Sequence, residues 1–415
     1  MASLRRSLLD LLNRRMLLCV LMGFSSGLPL YVLIQLLPAW LRREGVSLEA
    51  IGLFSLTQLP YTWKFLWAPL LDRYALPFLG RRRGWALVTQ LGLLALLLSF
   101  GALDPQGQTT TIALVAVVVA FFSATQDIVL DAYRRELLPD EELGLGNALH
   151  VNLYRASGMV PGGLALILAD HSPWPVVHAM VAGFMSVGIV ATFLAPNLDA
   201  TTGSAPASLW SAVVGPFREF FTRGDLGSAL LVLVFMLAYK LGDSMATALA
   251  TPFYIDVGFS MTVIGSVAKL VGFWSTVVGA LLGGVVMTKI GINRALWIFG
   301  GVQLVSILGF AALAEIGPNV TVLAVVVAFE FLGVGLGTAA FVAFLARATH
   351  RSFTATQYAL FSSFIALPRS LASASTGFLV VALGYTKFFL FCTLLAVPGL
   401  LLLPRVAPWR EQSQA

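Results

Sequence analysis

Long apolar stretches recur along the whole chain, and they constrain its fold more than any other feature. A run of about 18 or more apolar residues is long enough to cross a bilayer as a helix. The chain has 415 residues, 58% of them hydrophobic and 11% charged, with a mean hydropathy of +0.87. A soluble domain carries about 25% charged residues. These features predict an all-α polytopic membrane protein.

Twelve spans are predicted, and the longest connection between them lies near the middle of the chain. This connection, 196–225, is rich in Ser, Thr, Pro and Ala, and its segment 209–221 has the pattern of an interfacial amphipathic helix. The sequence therefore predicts two pseudo-symmetric six-helix bundles, 1–195 and 226–415, joined by a linker. The predicted spans, numbered 1 to 12 in chain order, are 16–40, 48–71, 85–103, 111–132, 145–168, 176–195, 226–254, 261–287, 295–314, 320–345, 355–383 and 388–404.

The positions of Lys and Arg predict the orientation of these spans. With the N-terminus inside, Arg42, Arg43 and Lys387 lie on the far side, and most of the 26 basic residues lie on the cytoplasmic side. This asymmetry follows the positive-inside rule, so both termini are predicted to be cytoplasmic. The predicted cytoplasmic bases are Arg5, Arg6, Arg14, Arg15, Arg73, Arg81, Arg82, Arg83, Arg134, Arg135, Arg218, Arg223, Lys289, Arg294, Arg347, Arg351, Arg405 and Arg410.

Signatures of enzymes and metal sites are missing from the sequence. The two cysteines, Cys19 and Cys392, both lie inside apolar segments, and the four histidines form no HExxH motif. No nucleotide-binding loop is present, and the net charge of +6 is explained by membrane orientation better than by nucleic acid. We therefore expect no enzymatic activity, no cofactor, no metal site and no nucleic-acid partner.

Nine ionisable residues fall inside predicted spans. Each charge near the bilayer centre costs on the order of 3 kcal/mol, so these groups are expected to face one another or a wet cavity. Protons are their expected partners, because titratable acids are present and no ATP site is. The bases are Lys64, Arg155, Lys240, Lys269 and Arg369, and the acids are Asp127, Asp131, Asp243 and Glu330.

Helical spacing indicates which of these charges pair. Lys240 and Asp243 are three residues apart on one face of span 7. Asp127 and Asp131 are four apart on one face of span 4, so a shared proton or a base between them is expected. Lys64 and Arg155, in neighbouring spans, are the two alternatives for that base.

The same charges differ in their expected roles. Asp127, deep in span 4, is predicted to belong to the proton pathway, whereas Asp131 is predicted to be structural and held by Arg134 or Arg135. Glu330 is a further proton-site candidate, and Lys269 and Arg369 are expected to be structural. Polar neutral residues expected beside this substrate and proton pathway are Tyr31, Gln35, Gln126 and Gln357.

A loop after span 2, "APLLDRYALPFLGRRRG", precedes a weaker copy after span 8, "GVVMTKIGINR". The first loop resembles the signature loop of the major facilitator superfamily, with four extra residues before Gly80. The resemblance implies a role in gating between the two halves, not in substrate contact. The residues that carry it are Asp72, Arg73, Arg81, Arg82 and Arg83.

Longer motifs narrow the resemblance to one branch. "SATQDIVLDAYRREL", "YKLGD", "GLGTAAFVAFL" and "SFTATQYALFSS" resemble the AmpG-like branch of the major facilitator superfamily. That branch includes muropeptide permeases, acetyl-coenzyme A transporters and siderophore permeases. The resemblance implies import across the inner membrane of a Gram-negative bacterium, driven by protons. Within the branch, the chain is most similar to the siderophore permeases of the RhtX/FptX group.

The expected substrate is therefore an iron–siderophore complex of the pyochelin type. Span 1 is consistent with this, because Tyr31 and Gln35 stand among large apolar side chains that suit a compact aromatic chelate. The alternative on the same scaffold is an anhydro-muropeptide permease of cell-wall recycling. An alternative of another class is a transport-inactive membrane sensor.

Overall fold

Helices account for the secondary structure of the described chain, and no strand occurs in it. The computed structural model describes residues 13–198, 226–348, 366 and 368–409. The predicted linker helix at 209–221 and Gln357 lie outside these residues. The predicted bundle boundaries stay a prediction.

Two compact units divide the chain. The first comprises 1–45 and 57–205, and the second comprises 46–56 and 206–415. In the first unit the α-helices are Arg14–Tyr31, Leu37–Arg43, Leu59–Trp63, Ala68–Arg73, Gly80–Ser99, Thr109–Leu137, Leu143–Ala156, Ala165–Ala169, Trp174–Gly183 and Ser186–Leu194. In the second they are Leu48–Leu53, Leu226–Ala248, Ala250–Val257, Met261–Val263, Leu270–Ile316, Val320–Ala348, Thr376–Leu383 and Tyr385–Val406.

Membrane-spanning length is reached by eight continuous helical segments of the described chain. One of them, Met261–Ile316, contains two predicted spans. Its helix bends at Gly291, where φ is +80°, a conformation that glycine adopts without strain. Spans 8 and 9 are thus joined by a single kink, whereas the sequence predicts a loop between them.

Span 2 differs most from its prediction as one helix over 48–71. It is divided into the short helices Leu48–Leu53, Leu59–Trp63 and Ala68–Arg73, with tighter 3₁₀ turns between them. Prolines stand near the start of two of these pieces, at Pro60 and Pro69, where they interrupt the hydrogen bonding of a continuous helix. Lys64 begins one of the 3₁₀ turns.

Small residues set the closest helix contacts in both units. A side chain at Gly23 or Gly27 in span 1 would collide with the backbone of His150 or Tyr154 in span 5. In the second unit, Gly279 of span 8 meets span 10 in the same way. Such small-residue contacts are a common basis for helix packing in membranes. They leave the larger side chains to fill the interior, as Phe235, Tyr239, Phe299, Phe341 and Phe344 do in the second unit.

Candidate functional site

The carboxylate of Asp127 is buried inside span 4 and has two polar partners. Ser26 donates a hydrogen bond to its Oδ1, and Lys64 Nζ lies 3.8 Å from its Oδ2. Asp127 is 7% exposed, while the side chain of Lys64 is 36% exposed. The site therefore combines a buried carboxylate with a lysine whose side chain is partly exposed.

Local backbone structure brings these groups together. The break in span 2 places Lys64 in a short 3₁₀ turn, and Trp67 in the next turn donates to Thr125 Oγ1 over 3.0 Å. This bond anchors the turn beside span 4, two residues before Asp127. Ser26 is buried in span 1, opposite the same turn of span 4. Gain of a proton by Asp127 would weaken its attraction for Lys64 and release the ammonium group.

The structure distinguishes between the two bases that the sequence offered as partners of Asp127. Lys64 makes the ion pair with Asp127, whereas Arg155 is exposed on span 5. Asp131 is half exposed and is held by Arg134, with their charged atoms 3.0 Å apart. His150 Nε2 lies 3.9 Å from the same Asp131 oxygen. Asp131 thus contacts the end of its own helix and does not contact Lys64.

The polar residues of span 1 are engaged within the first unit. Tyr31 packs edge-on against Tyr154, with ring centroids 6.2 Å apart. Gln35 lies so close to Gly162 that any side chain there would collide with its amide. Gln126, fully buried, donates to Ser25 Oγ over 3.0 Å. These contacts join spans 1, 4 and 5 beside Asp127.

A second charged cluster lies in the second unit. Lys240 Nζ is 3.5 Å from Asp243 Oδ2 and 3.2 Å from Thr338 Oγ1. The other oxygen of Asp243, Oδ1, is buried without a hydrogen-bond partner among the described residues. A small cavity lined by Asp243, Tyr239 and Gln303 opens beside it. The pairing of Lys240 with Asp243 agrees with their helical spacing.

Glu330 is the most deeply buried acid of the described chain. It is 0% exposed, and no donor among the residues that the structure describes is placed for a hydrogen bond on either carboxyl oxygen, although Ser306 and Asp243 lie beside it. Its carboxyl group is within electrostatic reach of Asp243 and Lys240. Two bases are therefore in electrostatic reach of these two carboxyl groups, since Arg369 interacts with Asp243.

The predicted gating loop contacts the ends of neighbouring helices. Arg82 places Nε 3.0 Å and a terminal nitrogen 2.9 Å from Glu136 Oε1, which joins the start of span 3 to the end of span 4. Arg83 donates to the Thr192 carbonyl over 3.1 Å, and Arg73 lies over the Tyr74 ring. Arg81 is half-buried, and the side chain of Asp72 is outside the described part of the chain.

The repeated loop of the second unit makes a matching contact with different chemistry. Arg347, at the end of span 10, donates to Asn293 Oδ1 over 2.6 Å at the start of span 9. The corresponding pair in the first unit, Arg82 and Glu136, carries opposite charges. The link lies at the same place in both units, but the arginine and its acceptor are exchanged between the two helices, and the acceptor in the second unit is neutral.

Sequence reasoning missed two neutral partners of these clusters, Ser26 and Thr338, and the acidic partner of Arg82 at the loop, Glu136. Ser26 belongs to the pair Ser25–Ser26 in an otherwise apolar span, which is the one signal that could have found it. Side chains suited to a metal do not gather in threes within residues 13–198, 226–348 and 368–409. Cys19 and Cys392 are free buried thiols.

Buried charges inside helical bundles, together with a repeated basic loop, are typical of membrane transporters. The family model described as Major Facilitator Superfamily matches residues 19–373. The chain belongs to this superfamily. A bacterial homologue of the lysosomal transporter Spinster shares the fold with a TM-score of 0.73 at 13% identity, covering 95% of this chain and 96% of that one. The nucleoside transporter NupG shares it with a TM-score of 0.71 at 14% identity, covering 96% of this chain and 100% of that one.

Relatives at higher identity narrow the family further. The anhydromuropeptide permease of Escherichia coli K12 is 44% identical over 94% of this chain and 79% of its own length. An uncharacterized protein of Haemophilus influenzae is 49% identical over 97% of both chains. A Rickettsia felis protein named as transporter AmpG 4 is 30% identical over 92% of this chain and 94% of its own. The chain is therefore a multi-pass membrane transporter of the AmpG-like branch.

These relatives overturn the predicted substrate. The expectation of an iron–siderophore importer is wrong, because the named relatives at high identity are anhydromuropeptide permeases, and none supports the RhtX/FptX group. The apolar character of span 1 has another cause. Val32, Leu33, Leu36 and Leu37 are buried, so helix packing accounts for their apolar character.

Proposed function

We propose that this protein imports anhydromuropeptides into the cytoplasm by proton symport. The single observation that supports the substrate most strongly is 44% identity to an anhydromuropeptide permease over 94% of this chain. The matched region covers 94% of the chain and therefore contains "SATQDIVLDAYRREL", the segment that carries Asp127. The inner membrane and cytoplasmic termini belong to the same proposal and rest on the distribution of Lys and Arg.

Asp127 is the proposed site of proton exchange. In the described state it accepts from Ser26 and faces Lys64 at 3.8 Å. A proton arriving from the outer side neutralises Asp127 and frees Lys64 for an anionic group of the substrate. The two halves then favour a different arrangement, because the loss of this ion pair changes the relative free energies of the transporter's two states. Release of the proton to the cytoplasm restores the pair.

The cluster of Lys240, Asp243 and Glu330 has a supporting role in this proposal, and so has the predicted gating loop. Lys240 and Asp243 hold a fixed ion pair, and Glu330 stays neutral because it is fully buried beside the Asp243 carboxyl group. The link between Arg82 and Glu136 stabilises one arrangement of the cytoplasmic helix ends and breaks in the other.

Whole-cell uptake tests the substrate. A strain lacking its own muropeptide and siderophore importers would express this protein and receive either labelled anhydromuropeptide or iron-loaded pyochelin. We expect accumulation of anhydromuropeptide alone, and expect a protonophore to abolish it. Accumulation of neither compound, or anhydromuropeptide uptake that survives collapse of the proton gradient, would contradict the proposal.

A further inference from the structure

Lys269 lies inside span 8 and forms no ion pair with a carboxylate of the described chain. The other two lysines of the spans each face an acid, since Lys64 pairs with Asp127 and Lys240 pairs with Asp243. Lys269 Nζ donates to Thr251 Oγ1 over 2.7 Å, and no described carboxylate lies within 4 Å of it. Its charge is therefore not balanced by the described chain.

The backbone around Lys269 is irregular on both sides of this contact. Lys269 ends a π-helical turn, Ile264–Lys269, within span 8. Thr251 is 4% exposed and follows the break at Leu249 between the two helices of span 7. Isolated π turns inside helices frequently mark functional sites. The ammonium group is thus held by one buried hydroxyl at a point where both helices depart from regular geometry.

The hydrogen-bonding capacity of the Lys269 ammonium group indicates that a further acceptor is missing. A lysine ammonium group has three donors and no acceptor. One donor of Lys269 is used by Thr251, so two remain for a further acceptor. Charges inside a membrane protein are costly unless they are paired, and those that persist commonly mark substrate or ion pathways. An acid of the chain at this position would compete with an anionic substrate, and the described residues supply none.

We propose that Lys269 binds a carboxylate of the transported molecule, with Thr251 orienting the ammonium group. This inference rests on the proposed function, because an anhydromuropeptide carries its peptide's free carboxylates. Lys269 would then determine specificity for acidic over neutral glycopeptides. Lys64 and Lys240 are unsuited to this role at rest, since each already faces a resident carboxylate.

Uptake kinetics with two substrates test the assignment. One is a labelled anhydromuropeptide, and the other is the same molecule with its carboxyl groups converted to carboxamides. For Lys269→Gln we expect KM for the acidic molecule to rise by about tenfold or more, as for loss of a charged hydrogen bond. KM for the carboxamide should change by less than about twofold. Lys269→Arg should retain the preference for the acidic molecule.

The outcomes separate this inference from the proposed function. If Lys269→Gln takes up both molecules with wild-type selectivity, or loses both equally, the assignment of Lys269 is wrong while the proposed function stands. If the wild-type protein takes up neither molecule, the proposed function fails.

Thermal stability supplies a measurement that needs no substrate. Lys269→Met removes an unbalanced charge, so the purified variant should melt at the wild-type temperature or above it. Lys240→Met is the matched control, because it strands Asp243 and should melt well below wild type. If Lys269→Met loses as much thermal stability as Lys240→Met, Lys269 is structural and the inference is overturned.

Discussion

The buried acids of the two units differ in their partners and in how deeply they are buried. In the first, Asp127 has a hydroxyl donor and a lysine whose side chain is 36% exposed. In the second, Glu330 is 0% exposed and lies beside Ser306 and Asp243, with Lys240 in electrostatic reach of Glu330 and Arg369 in electrostatic reach of Asp243. An acid can exchange a proton where its charged form is stabilised and where a proton donor or acceptor can reach it. Asp127 meets the first condition through Ser26 and Lys64, so we propose exchange at Asp127 and retention of a proton at Glu330.

The largest expected effect comes from removing the exchanging acid. Asp127→Asn mimics the protonated state permanently, so concentrative uptake of anhydromuropeptide should fall by more than about 100-fold, with the protein still inserted in the membrane. Uptake would be measured per amount of protein in the membrane. Asp131→Asn is the control, since Asp131 contacts Arg134 at the helix end and should affect protein yield more than coupling. Wild-type uptake by Asp127→Asn at equal abundance would remove the contrast between the units.

Loss of the fixed ion pair should have the next largest effect, and it concerns stability. Asp243→Asn leaves Lys240 buried without its acid, which costs about 3 to 5 kcal/mol when a buried pair is broken. Thermal unfolding of the purified variant measures the change. An unaltered melting temperature would mean that Lys240 is balanced by Glu330 instead, and the second unit would then resemble the first.

The two loop contacts give a smaller effect that differs between the units. Arg82→Ala strands Glu136, so uptake should slow by about tenfold, whereas Asn293→Ala removes a neutral acceptor from Arg347 and should slow it by about twofold. Initial uptake rates at equal abundance compare the two variants. Equal slowing would show that the charge at the first loop has no special importance.

The smallest expected effect is at Glu330. Glu330→Gln replaces a neutral carboxyl group with a neutral amide of the same shape, so stability should stay within about 1 kcal/mol of wild type and uptake within about threefold. Melting temperature and uptake would be measured on the same preparation. Abolished uptake with unchanged stability would identify Glu330 as an exchanging site and contradict the assignment drawn from its burial.

Sequence patterns predicted the fold and the positions of the charges well, because membrane crossing imposes length and polarity on every span. The family and the pairing of Lys240 with Asp243 followed from motifs and helical spacing. The choice of Lys64 over Arg155 did not, since it depends on how neighbouring helices rotate and on the break in span 2. Pro60 and Pro69 signalled that break, but the apolar length of the segment outweighed them.

The substrate was the part that sequence reasoning got wrong. The motifs that identify the branch build a transport scaffold that several substrates share. The clue taken from span 1 failed because Leu33, Leu36 and their neighbours are buried, and burial alone accounts for their apolar character. Specificity depends on a few polar contacts, such as the one proposed at Lys269, and such contacts do not alter the apolar pattern of a span.

Proton-coupled import of anhydromuropeptide is the central claim, and it is tested most directly in sealed membrane vesicles without ATP. Vesicles containing this protein, oriented as in the cell, would receive labelled anhydromuropeptide with or without an imposed proton gradient, acidic outside. We predict accumulation above the external concentration only with the gradient, and no accumulation in vesicles carrying Asp127→Asn. Equal accumulation with and without the gradient, or none in either condition, would contradict the account.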